Sequence, residues 1–362
     1  MTYTILQSIG IANPPFELPQ TQFLKFLAQL ETISPKVYAR AIQIYENAAI
    51  HRRFTCIADY LTTPENFNFY PPNHELEPAP TTSDRNRIYQ IYAPKIAQSA
   101  AQSALDKSSF HGQQITHLIV VSCTGFFAPG IDVSLIKSLG LSPTIDRVMI
   151  GFMGCFGAFN GFKTAHAICQ SNAQAKVLLV CVELCTLHFQ STNTLENVII
   201  NALFGDGAAA AVFSRGRAIP GKLAYIHGSS LLVPDSEDLM TWQIGDRGFV
   251  MGLSAKVPKT IGDYLPQYLS QWQDLIDLKT IDCWAVHPGG RQILDQIQQL
   301  LNLPDRVLAP SYHVLRHYGN MSSGTILFVL QEALRRGHSN LLALAFGPGL
   351  TIEGCLFQEV KG

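Results

Sequence analysis

Three short motifs carry side chains that could do chemistry together. Gly154-Cys155-Phe156-Gly157 places a cysteine where a strand hands over to a helix. Its sulfur would face the unsatisfied amides and positive dipole end of that helix, a position predicted to lower a thiol pKa and enlarge the thiolate fraction. His287 closes a buried strand before Pro288-Gly289-Gly290. It therefore projects from the strand's carboxyl end, where α/β folds place their sites. Asn320 opens a helix in Tyr318-Gly319-Asn320-Met321-Ser322-Ser323-Gly324. Each residue also has an ordinary reading: a buried thiol, a satisfied core imidazole, a helix N-cap. Together they suit acyl transfer, with His287 pairing with the Cys155 thiolate and the sulfur accepting an acyl group from a thioester. The His287 and Asn320 N–H groups can then stabilise an oxyanion. If the second thioester is malonyl, decarboxylation itself supplies the enolate that attacks the acyl-Cys155 carbonyl, and no strong base is needed.

The elements that must hold these residues read as two similar halves. Residues 20–50 are predicted helical and residues 63–85 a Pro/Asn-rich surface loop. In the first half, strands are predicted at His117 to Ser122, Arg147 to Gly151, Lys176 to Val182 and Ala208 to Phe213, with helices at Asp132 to Leu139 and Phe156 to Gln170. A looping insertion is predicted over Gln190–Asn201. The second half gives a strand at Ile281 to Val286, a helix to Leu301, a helix from Asn320 to Arg336 and a strand at Asn340 to Phe346. Strands joined by helices predict parallel α/β sheets covered on both faces. Phe204-Gly205-Asp206-Gly207 and Phe346-Gly347-Pro348-Gly349 each precede a last strand, and the intervals Cys123 to Cys155 and His287 to Asn320 are 32 and 33 residues. An internal duplication into two similar α/β halves is predicted, divided into residues 1–215, carrying the cysteine, and 216–362, carrying the histidine and asparagine.

Composition narrows the remaining classes. Of 362 residues, 47% are apolar and 15% charged, with a net charge of −1, so an excess of base for nucleic acid or an anionic membrane is lacking. No apolar run approaches the ~20 residues of a bilayer span, and Met1-Thr2-Tyr3-Thr4 has no secretory pattern. Eight cysteines without a C-x-x-C pair predict reduced thiols and a cytoplasmic protein. His313 and His317 lack the Glu of a zincin motif, and neither a metal nor a P-loop is expected.

Taken in order, the Gly-Cys-Phe, Phe-Gly-Asp-Gly-Ala-Ala, His-Pro-Gly-Gly, Gly-Asn-Met-Ser-Ser and Phe-Gly-Pro-Gly motifs resemble the chalcone synthase-like, type III polyketide synthases, from about residue 20 to the C-terminus. The resemblance implies an α/β thiolase fold and a homodimer. It also implies acyl-CoA and malonyl-CoA as substrates without a cofactor, and a catalytic triad of Cys155, His287 and Asn320. Phe204 becomes a gatekeeper between a CoA tunnel and a cavity. Met251 stands where plant members carry a second gatekeeper Phe, and Ala128 where they carry a Met that reaches into the partner's cavity. Ser122-Cys123-Thr124-Gly125-Phe126 and Glu183-Leu184-Cys185-Thr186-Leu187-His188-Phe189 look like the bacterial branch. There Cys123, Cys185, His188, Ile200 and Ser322 would line the cavity, whose apolar wall suits an aliphatic starter and an alkylresorcinol or alkylpyrone product. Arg52, Arg53 and Arg40 are the candidates for the CoA phosphates. The rival readings are a malonyl-primed tetrahydroxynaphthalene-type synthase, a β-ketoacyl-acyl carrier protein synthase III-like enzyme that condenses once, and a catalytically dead scaffold of the same fold.

Overall fold

The computed structural model describes residues 1–360. Thirteen strands run as β1 (Tyr3–Ala12), β2 (Phe16–Pro19), β3 (Arg52–Thr55), β4 (His117–Ser122), β5 (Asp146–Gly151), β6 (Lys176–Leu184), β7 (Asp206–Gly216), β8 (Leu223–Leu232), β9 (Met240–Gly245), β10 (Gly248–Leu253), β11 (Cys283–Val286), β12 (Asn340–Gly347) and β13 (Thr351–Glu359). The α-helices are α1 (Gln20–Ala28), α2 (Pro35–Asn47), α3 (Thr82–Asp106), α4 (Ile131–Ser138), α5 (Gly157–Ser171), α6 (Leu195–Leu203), α7 (Val257–Ser270), α8 (Arg291–Leu300), α9 (Asp305–Tyr318) and α10 (Thr325–Arg335).

Alternation along the strands builds the layers. Leu118 and Val120 of β4, with Leu178 and Val180 of β6, pack into one core with the alanine face of α3. Their neighbours Ile119, Val121, Leu179 and Cys181 point the other way, into a second core with Phe159 and Phe162 of α5 and the apolar face of α10. Leu341 and Ala343 of β12 join that second core, whereas Leu342 and Leu344 face a third, formed with α7, α8 and α9. A period of two therefore yields five layers, with α5 and α10 buried between the two halves of the sheet. The halves meet at one seam, where Thr4–Leu6 of β1 pairs with Leu223–Tyr225 of β8, giving the order β11-β12-β13-β8-β1-β7-β6-β4-β5. Small residues make the central layer possible. A Cβ on Gly161 of α5 would stand 2.6 Å from Leu179 Cδ1.

Several sequence expectations are corrected here. Only the β4–β5, β4–β6 and β11–β12 pairs are parallel, and the sheet is otherwise antiparallel. One face-covered expectation also fails, because β5 is an edge strand with Val148 and Met149 exposed. The insertion at 190–201 is helical from Leu195 onward, capped by Thr194. The surface loop ends at Thr81, whose side chain forms a capping box with Asp84 to start α3, and that helix continues through Pro94, where a break is the usual expectation.

Arg53 lies on β3 yet is 1% exposed. Its guanidinium donates to Asn201 O and Phe204 O, so it ties down the carboxyl end of α6, where the helix dipole favours a cation. The Arg53→Met variant should lose about 3 kcal/mol, because two buried carbonyls are left without donors. A lower denaturation midpoint with an unchanged m-value is the expected result, and an unshifted midpoint would contradict the role.

Candidate active site

Cys155 is delivered by a strained turn. After β5 the chain passes through Phe152 (φ 56°) and Gly154 (φ 71°) into a single 3₁₀ turn, Gly154–Phe156, that runs into α5. Glycine is required at 154, since a Cβ there would lie 2.5 Å from Pro348 Cδ. Cys155 is buried, and its Sγ lies 3.9 Å from both amide atoms of Asn320. The expected low pKa is reversed. Burial pushes the thiol up to about 11, although hydrogen bonding by Asn320 and Ser322 pulls the other way. Desolvation outweighs the helix terminus because so little water reaches the sulfur.

His287 continues the β11–β12 pairing, its N–H donating to Leu344 O at 2.7 Å. The ring is 1% exposed, and neither ring nitrogen has a hydrogen-bond partner. Burial pushes its pKa down to about 3, so it is neutral. An imidazole with both nitrogens dry and unpaired is costly for stability and marks a place where a ligand would complete the bonding.

Asn320 does not begin a regular helix, because α10 starts at Thr325 after a 3₁₀ turn at Ser322–Gly324. Its backbone is clamped to the end of α6. The Asn320 N–H donates to Leu203 O and Gly205 N–H donates to Asn320 O, each at 2.9 Å. The side chain serves two ends: Oδ1 accepts from Ser322 N–H at 2.8 Å, while Nδ2 reaches Gly289 O at 3.4 Å and the Cys155 sulfur. The cap-like role and the placement against the thiol are thus properties of one amide. Gly289 follows His287 by two residues, so the turn after β11, the α9–α10 junction and the start of α5 converge at this point.

Glu183 was missed in the sequence. It is fully buried at the end of β6, where Oε2 accepts from Cys123 N–H (3.0 Å) and Thr124 Oγ1 (2.7 Å), and Oε1 accepts from Ser323 Oγ. Burial raises its carboxyl to about 7 despite these donors. The available signal was a lone acidic residue inside the apolar run Val180-Cys181-Val182-Glu183-Leu184.

A cavity of about 640 Å³ reaches Cys155, Asn320 and Gly289 between apolar walls that include Leu203, Leu253 and Val257. Two chambers of about 30 Å³ each lie alongside it. One is lined by Cys123, Cys155, Cys185 and Ser322, the other by Cys185, His188 and Ile200. Phe204 and Met251 border all three spaces. Trp242, also missed in the sequence, borders both small chambers; its Nε1 donates to Cys123 O at 2.8 Å, and its ring stands edge-on to His188 and Phe249. His188 is fully engaged, Nε2 with Thr124 O and Nδ1 with Phe249 N–H, so it is a fixed wall and not a free base.

The arginine candidates fall outside the large cavity. Arg53 is buried under α6, Arg52 pairs with Glu17 at 3.0 Å, and Arg40 bonds Gln43. Two adjacent arginines on a strand alternate in direction, which sends Arg53 into the core. His313 and His317 pack together with their rings tilted by 48°, His313 lies near Glu332, and among the described residues no group of three His, Cys, Asp or Glu side chains is placed to hold a metal. No described helix is long and apolar enough to cross a membrane. All eight cysteines are free and buried.

Comparison with known proteins bears on the family and the fold. The model for the N-terminal domain of chalcone and stilbene synthases matches residues 2–216, and that for the C-terminal domain matches 226–361. The chain is 31% identical over 371 residues to the alpha-pyrone synthesis polyketide synthase-like Pks18 of Mycobacterium tuberculosis, spanning 99% of this chain and 92% of that protein. The crystal structure of PKS-I from the brown alga Ectocarpus siliculosus superposes with a TM-score of 0.93 at 30% identity, covering 99% of each chain. The C-terminal type III domain of Steely1, a type I/III hybrid from Dictyostelium, gives 0.90 at 26%, covering 99% of this chain and 100% of that one.

A thiol held near pKa 11 stays neutral at physiological pH. Alkylation of Cys155 by iodoacetamide, followed by peptide mapping, should accelerate about tenfold per pH unit between pH 7 and 10 with no plateau. Levelling off near neutrality would instead reveal a preformed thiolate–imidazolium pair.

Proposed function

The chain belongs to the chalcone and stilbene synthase family, the type III polyketide synthases, and on that premise we propose that Cys155, His287 and Asn320 extend an aliphatic acyl-CoA with malonyl-CoA and release a cyclised alkylpyrone or alkylresorcinol. As a family member it is an acyltransferase that forms carbon–carbon bonds on a thiolase-like α/β fold. The observation that carries the residue assignment is the pair of unsatisfied ring nitrogens on His287, buried beside the turn that Asn320 joins to the Cys155 sulfur.

In loading, Cys155 attacks the starter thioester while His287 accepts the thiol proton, and that proton leaves with CoA. Two neutral partners make this an exchange that creates charge only as the substrate arrives. Malonyl-CoA then loses carbon dioxide, and its electron pair passes to the thioester oxygen, where His287 Nε2–H and Asn320 Nδ2–H can donate. The enolate attacks the acyl-Cys155 carbonyl, the C–S bond breaks, and the β-ketoacyl-CoA can be reloaded. Residues 1–215 supply the nucleophile and 216–362 the oxyanion donors in this scheme.

The alpha-pyrone synthesis for which the Mycobacterium relative is named supports the pyrone. The mostly apolar lining around Met251 and Trp242 supports an aliphatic starter, with Trp242 setting its length. A homodimer is supported by β5, an edge strand with exposed Val148 and Met149 that natural proteins rarely leave bare.

Two measurements test the scheme. Cys155→Ala should abolish extension while retaining part of the malonyl-CoA decarboxylation, because both oxyanion donors remain; loss of both half-reactions to the same degree would refute the division of labour. Starter preference is read from kcat/KM across acetyl-, hexanoyl-, decanoyl- and palmitoyl-CoA. Trp242→Ala should shift the optimum toward longer chains, each additional buried CH₂ contributing ~0.8 kcal/mol. Rapid turnover of malonyl-CoA alone to an aromatic product, or arrest after one condensation, would favour the rival synthases.

A further inference from the structure

We propose that Arg291 holds a phosphate of the CoA carrier at the mouth of the active-site cavity, a role that rests on the reading of the site as one for CoA thioesters. The three arginines expected for that task do not line the cavity, and the wall contributed by α2 is uncharged, made of Ile44, Asn47 and Ala48. Among the described residues that line the cavity, Arg291 is the only cation. Glu196, on the same wall, has one carboxylate oxygen engaged by the Leu253 N–H at 2.8 Å.

Arg291 is prepared for an anion. Its side chain is about half exposed, and its Nε donates to Asp295 Oδ2 at 3.2 Å, one helical turn on. That contact fixes the plane of the guanidinium and leaves its outer edge, with the two terminal nitrogens, free to fork onto a phosphate. It is also the first residue of the ten-residue helix α8, whose N-cap, Gly290, offers no side-chain cap. The first-turn amides and the helix dipole add positive potential at the same place.

The second, independent sign of a ligand is His287. Four residues earlier on the same turn, it presents two unpaired ring nitrogens from a nearly dry position. Gly289 and Gly290 line the cavity between the two residues. A Cβ on Gly289 would stand 3.0 Å from Ile293 and 3.8 Å from the imidazole, and one on Gly290 would stand 3.5 Å from Leu203. Only at Gly289 is the fit tight, so the wall beside the imidazole is backbone there, and after Pro288 the two glycines leave the approach to the cation poor in side chains. One continuous segment would address both ends of the thioester, with His287 at the reacting carbonyl and Arg291 at the charged end of the carrier.

The test separates the carrier from the acyl group. Arg291→Ala, at a half-exposed helix start, should fold normally. KM for acyl-CoA and malonyl-CoA should rise about tenfold or more, as for loss of a charge-assisted bond, with kcat within about twofold of wild type. The same acyl groups on N-acetylcysteamine, which carry no phosphate, should be turned over with unchanged kcat/KM, and Arg291→Lys should recover part of the CoA effect. Calorimetry with free CoA should show a matching loss of affinity, and it needs no turnover. If condensation fails with every thioester, the functional reading falls while the calorimetry still judges the phosphate contact. Unchanged CoA affinity in Arg291→Ala, or an equal loss with the N-acetylcysteamine substrates, would overturn the proposal.

Discussion

Desolvation at the junction of Cys155, His287 and Asn320 is the constraint on which the rest of the site depends. Burial pushes the thiol up to about 11 and the imidazole down to about 3. Neither group can hold a charge at rest, and a charge-separated pair in that environment would need close partners to offset its loss of hydration. In the proposed reaction the same dryness would strengthen every hydrogen bond to an oxyanion formed there. Neutral resting groups and, in that scheme, strong donors to the oxyanion are two consequences of one low-dielectric pocket. Glu183 belongs to this balance. Its carboxyl titrates near 7, and when ionised it raises the cost of a thiolate on Cys155.

The fold creates that dryness by bringing element ends together under a buried helical layer. Cys155 opens α5, Asn320 stands just before α10, and these two helices are the ones enclosed between the halves of the sheet. Backbone bonds then hold the approach tightly. Asn320 is laddered to Leu203 and Gly205, and Arg53 pins the carbonyl of Phe204 from below. A small displacement of α6 would therefore move Phe204 and Asn320 together, since they share the bridge that joins those two residues.

The parts of the fold that were readable in the sequence are those whose surroundings leave one choice. The runs at β4, β6, β11 and β12 are buried on both sides, so their apolar character is continuous and their positions were legible to within two residues. The three site motifs were legible because a strand end, a tight turn and a helix start demand glycine beside a functional side chain, as Gly154 shows. What escaped notice depends on partners distant in sequence. α3 presents alanine to β1, where a Cβ on Gly10 would strike the Ala100 carbonyl, and small residues give a weak periodic signal. The β9–β10 hairpin has mixed burial and no apolar run longer than Phe249-Val250-Met251. Arg53 and Arg52 are indistinguishable as letters; only the direction imposed by β3 separates a core guanidinium from a surface one.

In the proposed scheme chemistry and selectivity fall to different parts of the chain, which explains why one set of residues was legible and the other was not. Cys155, His287 and Asn320 sit at strand ends and just before buried helices, positions that follow from the central sheet. Trp242 and Met251 sit on a two-stranded hairpin outside that sheet, and Phe204 ends a nine-residue helix that also lies outside it. A change of side-chain volume on the hairpin alters the chambers beside Cys155 without breaking a bond that holds the thiol, His287 or Asn320. Trp242 is the exception in degree, because its indole donates to the Cys123 carbonyl and so connects the hairpin to the strand end held by Glu183. The chamber wall is in this way anchored to the buried carboxyl that bears on the Cys155 thiol, and substitutions at Trp242 act on chamber size first and on that anchor second.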